Sequence, residues 1–240
     1  KIFFGGFCAL ALTMGISRFT YTPLLPVMQD ETILGIASGG WLATIHYFGY
    51  LLGVLTTLKT LSLRSRELFY FFGLLMSVLS TFMMALAENF LLWSVARFIA
   101  GFCGAAGIII GAGLVMQWLT DNTNQKPQMG KYFAGAGIGI VISALGSMLF
   151  KVLGFSWDHQ WIAYGIIATF LFFLAWFLRP KLTHTKKTSI SGSFTKKNQT
   201  SKKLAIKPKG LYKLLLMYFF SGFAFVISAT FTVSIVKLSP

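Results

Sequence analysis

Residues 179–210 read R-P-K-L-T-H-T-K-K-T-S-I-S-G-S-F-T-K-K-N-Q-T-S-K-K-L-A-I-K-P-K-G, and their polarity decides the fold because the chain on either side of them is apolar. Ten Lys or Arg fall here, from Arg179 to Lys209, with no Asp or Glu. A segment of this kind cannot bury a core, so it is expected to be a poorly ordered linker between two membrane-embedded parts. Lys and Arg that flank membrane spans stay on the cytoplasmic side, which places 179–210 inside the cell and orients the whole chain.

The composition fits that reading: 55% hydrophobic, 16% aromatic and only 11% charged residues, with a mean hydropathy of +0.71, exclude a soluble domain. A formal net charge of +15 does not point to a nucleic-acid partner, because the charge sits in loops between apolar runs rather than on one folded face. Cys8 and Cys103 both lie inside apolar runs, where they act as small hydrophobes, so no disulfide, metal site or cofactor is expected. The chain begins at Lys1 and reaches Pro240 shortly after an apolar run, and is read as part of something longer.

Runs of about 18 or more mostly apolar residues can cross a hydrocarbon layer of roughly 30 Å. Seven such runs are expected, approximately Ile2 to Met28, Gly39 to Leu58, Leu68 to Ala87, Phe90 to Leu119, Gly130 to Leu153, Trp161 to Leu178, and Leu211 to Val236. With an odd number of spans starting in the cytoplasm, Lys1, Lys59, Arg64, Arg66, Lys126, Lys131, the ten linker cations and Lys213 all fall inside. Only Lys151 and Lys237 fall outside, and Arg18 and Arg97 lie within spans. That asymmetry supports the orientation. The six tryptophans obey the same register, with Trp41, Trp93, Trp157 and Trp161 at the outer boundaries and Trp118 and Trp176 at the inner ones, where the amphipathic ring prefers the headgroup level. Pro180 and Pro208 bracket the linker without costing a helical hydrogen bond. The sequon at Asn198 is discounted because it lies on the cytoplasmic side.

Six spans, a long basic loop and a further span form the layout of one half of a twelve-span carrier joined to the start of its second half. W-S-V-A-R-F-I-A-G-F-C-G, Trp93 to Gly104, resembles the fourth-span motif of the major facilitator superfamily, here Arg97 with Gly101 and Gly104. G-I-S-R-F-T-Y-T-P-L-L-P-V-M from Gly15, G-W-L-A-T-I-H-Y-F-G-Y-L-L-G from Gly40, F-A-G-A-G-I-G-I from Phe133 and G-F-A-F-V-I-S-A-T-F from Gly222 resemble the uncharacterised YbfB/YjiJ-like branch of that superfamily. The resemblance implies an all-α polytopic membrane protein: a six-helix transmembrane bundle over 1–178, the basic cytoplasmic linker 179–210, and the first helix of a second half over 211–240. Two family features are absent. The loop after the second span has no Asp, with only Arg64 and Arg66 in place of the usual G-x-x-x-D-R-x-G-R-R, and G-S-M-L at Gly146 lacks the Gly-Pro signature of drug antiporters.

Chemistry must come from polar groups inside the spans. Arg18 lies twelve residues before Asp30 and Arg97 nine after Glu88, which at 1.5 Å per residue puts them roughly 18 Å and 14 Å from the outer boundary. A charged arginine near the midplane costs from about 3 to above 10 kcal/mol unless it faces a partner or a wet cavity. The six acids, Asp30, Glu31, Glu67, Glu88, Asp121 and Asp158, all fall at or beyond span ends, so none can neutralise either arginine. Pro23 and Pro26 are expected to kink the first span and free carbonyls beside Arg18, and α-helical spacing puts Tyr21 and Thr22 on Arg18's face. In superfamily members the first and fourth spans line the central cavity, so the resemblance implies that Arg18, Tyr21, Thr22 and Arg97 meet there. Arg97 has two readings, a cavity group or a structural arginine bonded to a neighbouring helix's carbonyls. His46 likewise reads either as a proton carrier or as a hydrogen-bonded packing histidine near the outer interface.

Gly49 with Gly53, Gly107 with Gly111, and Gly135 with Gly139 are each spaced G-x-x-x-G, which permits close helix contact. G-A-G-I-G has no preceding strand and is not a nucleotide loop. No HExxH, GxSxG or embedded carboxylate pair is present, so no enzyme activity is expected. The expected function is secondary active transport of a small, anionic or polar molecule by alternating access, coupled to an ion such as H+, in the cell membrane, here of the bacterial cytoplasmic type. The partners are then the bilayer, the substrate and the remainder of the chain. A sensor or scaffold that keeps the carrier fold is the alternative. The topology is checked by a Ser193→Cys substitution with Cys8 and Cys103 replaced by Ala. The thiol is expected to resist an impermeant reagent in intact cells and to label after permeabilisation, and ready labelling from outside would invert the orientation.

Overall fold

The computed structural model describes residues 2–59, 62–122, 129–180, 212–224 and 228. The basic linker beyond Pro180 and nearly half of the seventh apolar run lie outside these residues. Among the described residues six helices are long and apolar enough to cross a membrane: α1 (Ile2–Glu31), α2 (Ile36–Lys59), α3 (Leu63–Met83), α4 (Phe90–Thr120), α5 (Met129–Val152) and α6 (Trp157–Phe177). Together they form an all-α polytopic bundle within the first compact unit, 1–182. A shorter apolar helix, α7 (Tyr212–Ala224), belongs to a second unit, 183–239.

Helix starts are set by local capping. Ser62 Oγ accepts from Ser65 N at 3.1 Å, so α3 starts at Leu63, five residues before the apolar pattern does, and takes Arg64, Arg66 and Glu67 into its first turns. Asn89 Oδ1 accepts from Leu91 N and Leu92 N at 2.9 and 3.2 Å at the start of α4. Glu31 Oε2 accepts from Trp157 N at 2.8 Å, so the end of α1 caps the start of α6. Each of these groups satisfies backbone donors that a helix start leaves open.

The spans are not equivalent. In α1 and α4, 67% and 61% of the apolar window is buried, against 28% in α2 and 22% in α5, so α1 and α4 are inner helices and α2 and α5 form the rim. The rim exposes Phe48, Leu51 and Leu55 from α2, and Val141, Leu145 and Met148 from α5, as surfaces in contact with lipid or other helices do. Close approach is made possible by glycine at the main crossings. A Cβ at Gly49 or Gly53 of α2 would meet the carbonyls of Phe98 or Phe102 on α4, and one at Gly101 would meet the His46 carbonyl. On the other side of α1, a Cβ at Gly139 of α5 would sit 2.6 Å from Gly15 Cα and 2.8 Å from the Ala11 carbonyl oxygen, and one at Gly135 would strike the Phe7 carbonyl.

Two stretches leave the α-helical pattern. Residues Ala11–Phe19 of α1 and Ala106–Gly111 of α4 are π-helical, and they touch where Gly107 leaves room for Thr13. Their carbonyls accept side-chain donors from neighbouring spans: Gly15 from Ser143 Oγ at 3.1 Å, Ser17 from Arg97 Nη1 at 3.2 Å, and Gly107 from the Tyr132 hydroxyl. Irregular backbone at membrane depth is tolerated where protein groups satisfy it in this way. The α-pattern of α1 resumes at Tyr21. Pro23 falls in the first turn of that segment, where no amide donor is needed, and only Pro26 lies inside it.

The tryptophans sit at the expected ends but for another reason. Trp41 is 62% exposed, whereas Trp93, Trp157 and Trp161 are buried in the bundle. Trp93 and Trp157 pack edge to face at 5.6 Å, and Trp93 Nε1 donates to the Met84 carbonyl at 3.0 Å. Packing, not headgroup preference, holds these three. Because the nearest Cβ contacts at Gly139 are all with backbone, Gly139→Ala is expected to lower stability by about 1–3 kcal/mol. Gly137→Ala, whose Cβ would meet nothing within 4 Å, should be neutral or stabilising by up to about 1 kcal/mol. Melting of the two variants in detergent checks this, and equal melting temperatures would contradict the crossing.

Candidate functional site

The inner helices bring Arg18 and Arg97 into one layer with His46. Arg97, on α4, is 3% exposed. Its Nη1 donates to the Ser17 carbonyl, its guanidinium carbon lies 4.5 Å above the centre of the Tyr21 ring, and its Nε has no hydrogen-bond partner. The contact joins α4 to the π-helical stretch of α1 one residue before Arg18. It is the carbonyl bond that the structural reading of Arg97 requires, made in the layer that the cavity reading requires.

Arg18 is half-buried, and its surroundings are aromatic. The guanidinium carbon lies 5.2 Å from the ring centre of Phe19, 5.1 Å from Tyr47 and 5.5 Å from Tyr50. Stacking of this kind stabilises a guanidinium by about 0.5–2 kcal/mol per well-placed ring. Its Nη1 approaches Met14 Sδ at 3.5 Å, and its Nε is buried without a partner. Gly104 makes room here, since a Cβ on it would lie 2.8 Å from Met14 Cε and 3.4 Å from the Tyr50 ring. The glycine at the end of the fourth-span motif therefore shapes the surroundings of Arg18.

His46 is 1% exposed, and its ring faces the Arg97 backbone without a hydrogen bond of ordinary geometry among the described residues. It lies within electrostatic reach of both Arg97 and Arg18, and its ring meets Tyr47 edge to face at 5.7 Å. The buried Ser17 hydroxyl is also unpartnered. Tyr21 is buried under Arg97, and its hydroxyl donates to the Gly39 carbonyl at 2.8 Å, tying α1 to the start of α2. Thr22 is half-buried one residue further on. Among the described residues no carboxylate is within ion-pair distance of Arg18 or Arg97.

The structure brings Arg18, Arg97, Tyr21 and His46 near one another and sets Ser17, Phe19, Tyr47 and Tyr50 beside them. Tyr47 and Tyr50 were visible as aromatics three residues apart beside His46, a spacing that puts both on one helical face. Ser17 carried no such signal, because its role comes from a carbonyl and a hydroxyl placed by the π-helical turn.

Fold and site together define a multi-pass membrane protein built as one six-helix half bundle of the major facilitator kind. The chain belongs to the family described as "Uncharacterised MFS-type transporter YbfB", which matches residues 10–239. It is similar to "Uncharacterized transporter mfc1" of Schizosaccharomyces pombe, 26% identical over 166 residues, covering 69% of this chain and 33% of that protein. It is also similar to "Uncharacterized MFS-type transporter YceJ" of Bacillus subtilis, 24% identical over 156 residues, covering 65% of this chain and 38% of that protein. The matched part thus spans between a third and two fifths of the length of these relatives.

Proposed function

We propose that this chain is the first half of a secondary active transporter, with the start of its second half, and that it carries a small anionic or polar molecule across a cell membrane by alternating access. In this reading 1–178 is the rocking bundle, 179–210 the cytoplasmic linker, and 211–240 the first helix of the second half. The membrane is the cytoplasmic membrane of a bacterium. Membership of a family of MFS-type transporters supports the activity. The observation that carries the substrate class is the buried layer of Arg18, Arg97 and His46, in which, among the described residues, donors outnumber acceptors and no carboxylate compensates the charge. Buried polar groups are almost always bonded, and a charge kept at this depth marks a substrate or ion pathway.

Within that layer the roles divide. Arg97 holds the π-helical carbonyl of Ser17 and positions the first span. Arg18, held by aromatic rings rather than by oxygen acceptors, is the direct contact for an anionic group. Tyr21 backs Arg97, and Thr22 lies beside it on the inner helix.

Replacing Arg18 by Lys keeps the charge but loses the planar fork that grips a carboxylate through two bonds. For the full-length protein, a screen of small carboxylates by the rise in melting temperature supplies the ligand. Arg18→Lys and Arg18→Gln are then expected to weaken its binding by about 10- to 100-fold, the worth of a charge-assisted hydrogen bond, while both variants stay folded. Unchanged affinity in both would remove Arg18 from the contact, and a defect confined to stability would make it structural.

A further inference from the structure

We propose that the anion held by Arg18 is the carboxylate of an aromatic acid, and that Tyr47 and Tyr50 select its ring. This deepens the transport reading above and rests on it.

The buried and the open parts of the arginine layer differ in chemistry. Arg97, Tyr21, His46 and Ser17 are all buried, and Arg97 is already committed to the Ser17 carbonyl. Arg18, Phe19, Tyr47 and Tyr50 are each only half-buried, so they form the part of the layer left open. That part is a single guanidinium bordered by three aromatic rings, Phe19 from α1 and Tyr47 and Tyr50 from α2, with every ring centre within 5.5 Å of its central carbon. Of its donors, Nη1 meets only the soft Met14 sulfur at 3.5 Å, and Nε is buried without a partner.

Planarity turns this arrangement into a preference. A carboxylate gripped through two bonds lies in the plane of the guanidinium. In an aromatic acid the ring is conjugated with the carboxylate and continues that plane, so rings that border the guanidinium also border the ligand's ring and meet it offset or edge on. A saturated ring is puckered and has no π-system, and keeps the charge while losing those contacts. A short hydroxy acid brings a hydroxyl against ring faces and strips it of water.

Gly104 of α4 sets the width of the opening. A Cβ there would lie 2.8 Å from Met14 Cε and 3.4 Å from the Tyr50 ring, so the missing side chain lets both groups stand against Arg18. If the rings served only to stabilise the guanidinium, they would strengthen every monoanion alike. The affinity ratio between a flat and a puckered acid separates the two roles.

The test is calorimetric titration of the full-length protein at neutral pH with benzoate and cyclohexanecarboxylate, which match in charge and carbon count. The saturated acid is the more apolar of the two, so burial alone would favour it. We expect benzoate to bind about 3- to 100-fold more tightly, the worth of one or two ring pairs. Tyr47→Leu and Tyr50→Leu should shrink that ratio toward one, whereas Arg18→Gln should weaken both acids together. Arg18-dependent binding of the two acids with equal affinity by the unaltered protein, a comparison that needs no variant other than Arg18→Gln, would overturn the aromatic preference and leave the anion contact standing. A preference for benzoate undiminished in both leucine variants would remove Tyr47 and Tyr50 from the selection. Failure of both acids to bind would overturn the carboxylate site and with it the anionic reading of the substrate.

Discussion

The bond from Arg97 Nη1 to the Ser17 carbonyl, 3.2 Å long and fully buried, is the interaction on which the rest of the arrangement depends. A guanidinium inside an apolar bundle needs acceptors, and among the described residues the spans offer it no carboxylate. A regular α-helix offers its carbonyls less readily, since each already accepts from one of its own amides. The π-helical stretch of α1 resolves this by turning carbonyls outward at Gly15 and Ser17, and one of them meets Arg97. The bond fixes the first span against the fourth and places Arg18, the next residue along, against Tyr47 and Tyr50 of the second.

Close approach of backbones makes that geometry possible. Gly49, Gly53 and Gly101 bring α2 and α4 to contact distance, which carries His46 into the arginine layer. Gly15 and Gly139 do the same for α1 and α5, where Ser143 bonds both the Gly15 carbonyl and the Thr20 hydroxyl. Small residues replace the hydrophobic effect as the organising device, because lipid is as apolar as the helices themselves. The inner pair, α1 and α4, therefore carries both arginines, and the rim helices add buried His46 and Ser143 to it.

The sequence makes depth legible and leaves rotation hidden. Run length and charge asymmetry place six spans within a few residues, and distance from the end acids puts Arg18 and Arg97 in one layer. The G-x-x-x-G spacings mark the crossings. Periodicity assumes an α-helical phase throughout, so the π-helical turns at 11–19 and 106–111 escape it, and the face assigned to Tyr21 shifts: its ring packs under Arg97. For the same reason the tryptophan argument found the right ends and the wrong cause, since depth alone does not say whether Trp93 faces lipid or the core. Tyr50 and Ser17 depend on which helix stands opposite, and a single chain's pattern does not contain that.

The central claim is that the bundle keeps uncompensated positive charge in its interior for the sake of a ligand. Melting temperature of the purified full-length protein carrying Arg18→Met, in the absence of any added anion, tests it most directly. Methionine fills the volume and packs well against aromatic rings, so the variant differs chiefly in charge. If Arg18 is held at a cost to stability, Arg18→Met melts at the same temperature as the parent or higher and no longer gains stability from carboxylates. A fall of several degrees would show that the arginine itself holds the bundle together, and would contradict the account.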